Sequence, residues 1–211
     1  MEELRILPQV VGGINWASAD IAANIFNHLT HSVILVDSLE EAEMVKLDNN
    51  TYRDVVFSFA NELALVCNKL GLNTRRVIEA ANRGYNRSKV PMPSPGVGGI
   101  CLGKDPYIFI ASAKAKKYQP LLARDSRIIS DTMVNFVAQE IIRFLKGKNK
   151  PKVFILGLAF KGQPVTSDVR GSTTISLINK IKGKVGSIHV YDPAVGVSDI
   201  KNSGVKAIRK P

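Results

Sequence analysis

The stretch LEEAEMVKLDNNTYRDVVFSFANELALVCNKL, Leu39 to Leu70, carries the longest helical signal in the chain, and Gly71 closes it where a C-cap belongs. A helix over it runs on the order of 45 Å at the standard rise per residue. In a chain of 211 residues, a helix that long spans domains or forms a dimer seam. Its apolar Val55, Val56, Phe59, Leu63 and Val66 exceed what one thin helical layer covers, which points to a homodimer.

Outward from this helix, Thr74 to Asn82 reads as a second one. Gly84 to Lys104 reads as a loop, with Pro91, Pro93, Pro95 and five glycines breaking regular structure. Helices resume at about Pro106 to Lys117 and Pro120 to Lys146. On the N-terminal side, Val10 to Ile14 reads as a short strand ending in a turn. Ser18 to Leu29 follows as a helix with Ser18 as N-cap, and Ser32 to Val36 as a buried strand closed by Asp37. On the C-terminal side, Gly147 to Pro151 is a linker and Lys152 to Gly157 a buried strand. Thr173 to Lys182 is an amphipathic helix, and Ser187 to Tyr191 a second strand. Strand, helix, strand makes a parallel α/β unit whose ligands belong at the strands' carboxyl ends. The expected fold is a mostly α central dimerisation domain, residues 38–149, between partial α/β (Rossmann-like) units at 1–37 and 150–211. No internal repeat is evident.

A hydrophobic content of 45% supports a real core, and a charged fraction of 22% argues against wholesale disorder. No stretch approaches the roughly 18 apolar residues of a membrane span, and the first residues lack the pattern of a secretion signal. Cys67 and Cys101 stand 34 positions apart, which excludes a CxxC pair and a disulfide framework and makes a reducing cytoplasm the natural compartment. The net charge of +11 raises nucleic acid as a partner. Yet the lysines are spread along the chain without interleaved aromatics and without a nucleic-acid module, so they read mainly as solvated helix faces. A pyrophosphate-bearing substrate would also be drawn to such a surface.

The segment Pro95-Gly96-Val97-Gly98-Gly99-Ile100-Cys101-Leu102-Gly103-Lys104-Asp105 is the most informative for chemistry. Its glycines leave the backbone free to approach a ligand, Lys104 would favour the nucleophilic thiolate of Cys101, and Asp105 is a carboxylate placed to activate water. Gly98 to Lys104 also fits the phosphate-loop pattern GxxxxGK. Asp105 stands where that motif needs Ser or Thr, however, and prolines stand where it needs a strand. Along the long helix, Lys46, Asn50 and Asn61 return to one face, where an ammonium and amides aimed at one point stabilise an oxyanion. A plain solvated stripe explains the same spacing. Cys67, in Leu63-Ala64-Leu65-Val66-Cys67, reads as core. Phe160-Lys161 and Asp168-Val169-Arg170-Gly171-Ser172 put a lysine and an arginine beside a helix N-terminus, an anion site by composition, with a structural salt bridge as the alternative. His28, His31 and His189 show no metal spacing, and no metal is expected.

These segments, in this order, resemble the UDP-glucose/GDP-mannose dehydrogenase family. The match runs through Ala42 to Leu47 with Asn50-Thr51, Phe59-Ala60-Asn61-Glu62-Leu63, Pro95 to Cys101 with Lys104-Asp105, Gly157 to Lys161, Asp168 to Ser172 and Tyr191-Asp192-Pro193. The Pro-Gly-Val-Gly-Gly form and Asp105-Pro106-Tyr107 look most like the N-acetylhexosamine branch, which oxidises UDP-N-acetylmannosamine or UDP-N-acetylglucosamine. The resemblance implies oxidation of a sugar C6 alcohol to a carboxylate with two NAD per turnover, and a homodimer. It makes Cys101 the nucleophile that forms a thiohemiacetal and then a thioester. Lys46 and Asn50 hold the oxyanion and order water, Asp105 helps activate it, Lys161 with the Gly98-Gly99 backbone contacts the UDP-sugar, and Arg170 reaches the cofactor phosphates. Arg87 reaches a neighbouring subunit's site. The chain departs from the pattern in having no GxGxxG and no Pro-Glu-Arg substrate loop, and Ile100 stands where a histidine often precedes the cysteine. It therefore reads as lacking the N-terminal NAD-binding domain and much of the C-terminal one, and as not holding NAD stably alone. Two readings stay open: part of a dehydrogenase, completed by a separate NAD-binding chain, or a non-catalytic dimerising or nucleotide-sugar-binding remnant.

Overall fold

The computed structural model describes residues 2–208. In chain order its elements are α1 (Glu2–Ile6), β1 (Gln9–Val11), α2 (Trp16–Asn27), β2 (Val33–Leu35), α3 (Leu39–Leu70), α4 (Thr74–Asn82), α5 (Ile100–Ala115), α6 (Leu121–Leu145), β3 (Lys152–Leu156), α7 (Thr173–Ile181), β4 (Ser187–Tyr191), α8 (Val197–Asn202) and β5 (Lys206–Ala207). The mostly helical class with small parallel sheets is as expected. The packing divides into two compact units, the first ending at Thr51 and the second beginning at Tyr52.

In the first unit, β1 and β2 pair in parallel around α2, with Val10 opposite Ile34. The cap of α2 is Asn15, not Ser18: Asn15 Oδ1 accepts the Ser18 amide at 2.9 Å while Ser18 Oγ accepts the Asn15 amide at 3.2 Å. Ser18 is the third residue of a reciprocal capping box, so the helix starts two residues early. β2 is not buried as expected: Ile34 and Leu35 are exposed, because this sheet has two strands and little to cover it.

α3 has the bounds its sequence predicts and ends in a Schellman motif. Gly71 adopts φ 69°, its amide donates to Asn68 O at 3.3 Å, and the Leu72 amide donates to Cys67 O at 2.8 Å. In the second unit, α6 lends Val134, Val137, Ala138, Ile141 and Ile142 to the same core as Leu177, Ile178, Ile181, Ile188 and Val190. α6 and the C-terminal strands therefore share one core across residues 149–150. That sheet has three parallel strands, β3-β4-β5, one more than the sequence reading gave. β3 is half-buried: Val153 and Ile155 face the core, while Phe154 and Leu156 are 60% and 70% exposed. Only one face of the sheet is packed among the described residues, so an all-apolar strand still leaves one side open.

The predicted loop 84–104 is shorter than expected. α5 begins at Ile100, so Cys101, Lys104 and Asp105 lie in helix. Gly99, at φ 94°, turns the chain, and the Gly103 amide makes the first helical bond to Gly99 O at 2.9 Å. Pro106 sits inside this helix, where it cannot donate to the carbonyl of Leu102. Arg127 Nη1 donates to that carbonyl at 3.0 Å, so the acceptor that the proline orphans is satisfied. No strand leads into this turn, so the phosphate-loop reading fails on geometry as well as on Asp105.

Candidate functional site

The cysteine turn is built against the C-terminal half of the second unit. The Gly99 amide donates to Gly171 O at 3.0 Å. A Cβ on Gly98 would lie 2.7 Å from Gly171 O, and one on Gly99 would lie 2.7 Å from the Phe160 ring. Two segments 60 residues and more apart in sequence, Gly98-Gly99 and Phe160 to Gly171, thus close on each other because glycine leaves room for backbone on backbone. Upstream, Asn61 Oδ1 accepts the Ser94 amide at 2.8 Å and Ser130 Oγ accepts the Val97 amide at 2.8 Å. Side chains of α3 and α6 therefore hold a proline-rich segment that has no regular hydrogen bonding of its own.

Cys101 is exposed at the second position of α5, where the free amides and dipole of a helix N-terminus favour an anion. Cys67 is 2% exposed and lies in core, as expected. Lys104 Nζ sits 2.8 Å from Asp105 Oδ1; this hydrogen bond, then the negative charge around it, holds the ammonium pKa above its ordinary range. Lys104 thus serves the buried Asp105 carboxylate first.

Lys161 is half-buried, its Nζ 5.6 Å from the Phe160 ring centroid. With Gly157, Ala159, Asp192 and Ala194 it lines a cleft of about 160 Å³ at the carboxyl ends of β3 and β4, where a parallel α/β unit takes its ligand. Arg170 is exposed and clamped on Asp168, with Nη2 at 2.8 Å and Nε at 3.0 Å; these bonds hold the Asp168 carboxyl down to about 2. Arg170 thus makes the salt bridge that the sequence offered as the alternative reading, and it would have to leave Asp168 to bind a phosphate.

Lys46 and Asn50 lie on the first-unit part of α3, Lys46 exposed and Asn50 buried. With Asn61 fully buried in the second unit, the simple solvated stripe does not describe this face. Arg87 is exposed on a loop whose ends Asn82 ties together, accepting the Val90 amide at 2.9 Å and donating to Val90 O at 2.8 Å.

Two elements of the site escaped sequence reading. Asp192 receives four backbone amides: Leu158 at 2.6 Å and Ala159 at 2.9 Å on one oxygen, Ala194 at 2.8 Å and Val195 at 3.0 Å on the other. Burial pushes its carboxyl up, but the four donors outweigh it and the net shift is downward. Its sequence signals, the Asp-Pro pair closing a strand and its place in the family resemblance, gave it no role. The other is Asp54, fully buried, whose Oδ1 accepts Arg127 Nη1 at 2.6 Å. Nothing in the sequence pairs residues 73 apart.

Residues 40–132 match the central domain of the UDP-glucose/GDP-mannose dehydrogenase family. A UDP-N-acetyl-D-mannosamine dehydrogenase of Methanococcus vannielii is 35% identical over 195 residues, 92% of this chain and 44% of that protein. The solved UDP-D-ManNAc dehydrogenase of Pyrococcus horikoshii superposes with a TM-score of 0.80 at 34% identity, covering 92% of this chain and 46% of its own. The UDP-N-acetyl-mannosamine dehydrogenase of Staphylococcus aureus gives 0.75 at 33% identity, with 92% and 44% covered. This central part of the chain, residues 40–132, belongs to the UDP-glucose/GDP-mannose dehydrogenase family. The chain spans a little under half the length of these relatives.

Gly12 and Gly13 follow β1, where a phosphate turn would lie, but a Cβ on Gly12 would fall 2.0 Å from Ser38 O and one on Gly13 2.5 Å from the Ala19 nitrogen. The inner side of this turn is filled by the chain's own backbone. Among the described residues there is also no cluster of His, Cys, Asp or Glu fit to hold a metal, and no helix long and apolar enough to cross a membrane.

Proposed function

We propose that this chain supplies the thiol half of a UDP-N-acetylhexosamine 6-dehydrogenase, with Cys101 as the nucleophile. The observation that carries the reading is the closure of the cysteine turn on the Phe160 and Gly171 turns. It places an exposed thiol at a helix N-terminus beside a segment bearing two cations. The two oxidations need NAD, and this chain's own residues contribute the carbonyl chemistry. The Cys101 thiolate adds to the C6 aldehyde carbon, and the carbonyl electron pair moves to oxygen as an oxyanion. At the thioester stage water adds to the same carbon, Asp105 takes one proton, and collapse expels the sulfur as thiolate to leave the sugar's carboxylic acid, which gives its proton to solvent. Lys104 Nζ, 2.8 Å from Asp105 Oδ1, gives that carboxylate a cationic partner. Lys46 and Asn50 keep the oxyanion role that family resemblance gives them, and Lys161 holds the UDP-sugar. A working thiol suits the reducing cytoplasm.

Protection from alkylation tests this without any cofactor. UDP-N-acetylmannosamine at millimolar levels slows iodoacetamide modification of Cys101, and Lys161→Ala removes the protection. An unchanged Cys101 rate with every UDP-sugar tried refutes the substrate reading.

A further inference from the structure

A proline inside a helix orphans the carbonyl four residues before it. In α5 that carbonyl belongs to Leu102, the residue after Cys101, and Arg127 of α6 occupies it at 3.0 Å. The same Nη1 donates to Asp54 Oδ1 of α3 at 2.6 Å, and Asp54 Oδ2 accepts Ser126 Oγ at 2.8 Å. Arg127 is 6% exposed and Asp54 fully buried, and the guanidinium carbon lies 5.7 Å from the Tyr107 ring centroid. Three helices therefore meet at one cation, and two of its neighbours, Leu102 and Tyr107, flank Pro106 on the cysteine helix.

Stability alone does not explain this pair. Desolvating two charges costs several kcal/mol each, and well-packed apolar side chains fill such a space as well or better. A guanidinium offers something they cannot, a rigid planar fork that fixes the direction of its acceptors. Here one acceptor is a carboxylate anchored in the core and the other is main chain next to the reactive cysteine. We propose that Arg127 is the positioning residue of the cysteine turn: anchored on Asp54, it grips the carbonyl that Pro106 leaves free and so sets how α5 presents Cys101. Its functional consequence rests on the reading of Cys101 as the nucleophile. Arg127 acts through the backbone and touches no substrate.

A thiol-reactivity cycle tests this. Iodoacetamide rates of Cys101 are measured across pH in the wild-type chain, Arg127→Lys, Pro106→Ala and the double variant, with buried Cys67 read in the same samples as a report on folding. Lysine keeps a cation for Asp54, but its shorter side chain ends in a freely rotating ammonium without the fixed, in-plane directions in which Nη1 serves both acceptors. Pro106→Ala gives Leu102 O an amide of its own. The expected result is a change of about threefold or more in Cys101 rate for Arg127→Lys, shrinking to under about twofold in the Pro106→Ala background, as coupled neighbours require. Cys67 stays protected throughout. Identical Cys101 profiles for wild type and Arg127→Lys overturn the proposal, as does an equal effect in both backgrounds. Cys67 reacting alongside Cys101 in both Arg127 variants also overturns it, by assigning Arg127 to holding the fold closed. Loss of protection by UDP-sugars would bear on the proposed function alone, since the cycle compares rates without ligand.

Discussion

Gly99 donates its amide to the carbonyl of Gly171 at 3.0 Å, and through that bond the turn before the cysteine and the turn before α7 become one structure. Neither turn has room for a side chain on its inner side: a Cβ on Gly98 would stand 2.7 Å from Gly171 O, which is backbone and cannot swing away. Gly98→Ala therefore forces the two turns apart and lowers stability by roughly 1–3 kcal/mol, the usual cost of overpacking. Gly103, three residues into the helix, has nothing within 4 Å of its Cβ position. Gly103→Ala is expected to stabilise by about 1 kcal/mol through helix propensity. Urea unfolding of the two variants, with opposite signs, checks both.

The Asp54–Arg127 pair predicts a large single-site loss. Arg127→Ala strands a fully buried carboxylate, and Asp54→Ala strands a guanidinium whose Nε already lacks a partner. Each is expected to cost roughly 3–5 kcal/mol. Removing both with leucines leaves no uncompensated charge, so the double variant should lose clearly less than the sum. An additive double variant in urea titrations would show that the two residues do not act as a pair.

What was legible in the sequence followed from local rules. α3 was readable end to end because its periodicity is unbroken and Gly71 stops it by its own backbone freedom. The turn before Cys101 was readable because glycines crowd it. The start of α5 was not: Pro106 is a breaker on every local rule, and the acceptor it orphans is satisfied by Arg127, 21 residues on in another helix. Ser18 was misplaced because Asn15 caps better once Ser18 returns the bond. The open face of β3 was illegible for a different reason. An apolar run reports what a strand is suited to pack against, and Phe154 and Leu156 are as apolar as Val153 and Ile155.

Asp192 links the site to pH. Its four amide donors lower the folded pKa below the ordinary 3.8, against the pull of burial. A carboxyl depressed on folding contributes stability that is present above its unfolded pKa and lost as pH falls through its folded one. The wild-type chain should thus lose this contribution between about pH 4 and the more acidic folded value. Asp192→Asn should cost on the order of 2 kcal/mol at neutral pH, since an amide nitrogen then faces two amide donors. The gap between wild type and variant should close as the pH drops below 4. Thermal melts from pH 7 downward measure it, and a gap constant with pH would mean that the charge of Asp192 is not what holds the two loops.

The long helix makes the last prediction, a homodimer through its outer face. Tyr52, Phe59 and Val66 stand seven residues apart, a spacing that keeps side chains on one face, and they are 67%, 56% and 47% exposed. Val55, Val56 and Leu63 beside them are only half-buried. A stripe of aromatic and branched side chains this continuous is costly to leave in water and has the composition of an interface core. Phe59 lies in its middle, where truncation costs most. Phe59→Glu should weaken self-association by about 2 kcal/mol or more, some thirtyfold in dissociation constant. Leu122→Glu serves as the control, because Leu122 is 75% exposed on α6 and outside the stripe. Sedimentation equilibrium should then show a dimer for wild type and Leu122→Glu and a concentration-dependent shift to monomer for Phe59→Glu. A wild-type chain that stays monomeric at high protein concentration would refute this use of the stripe.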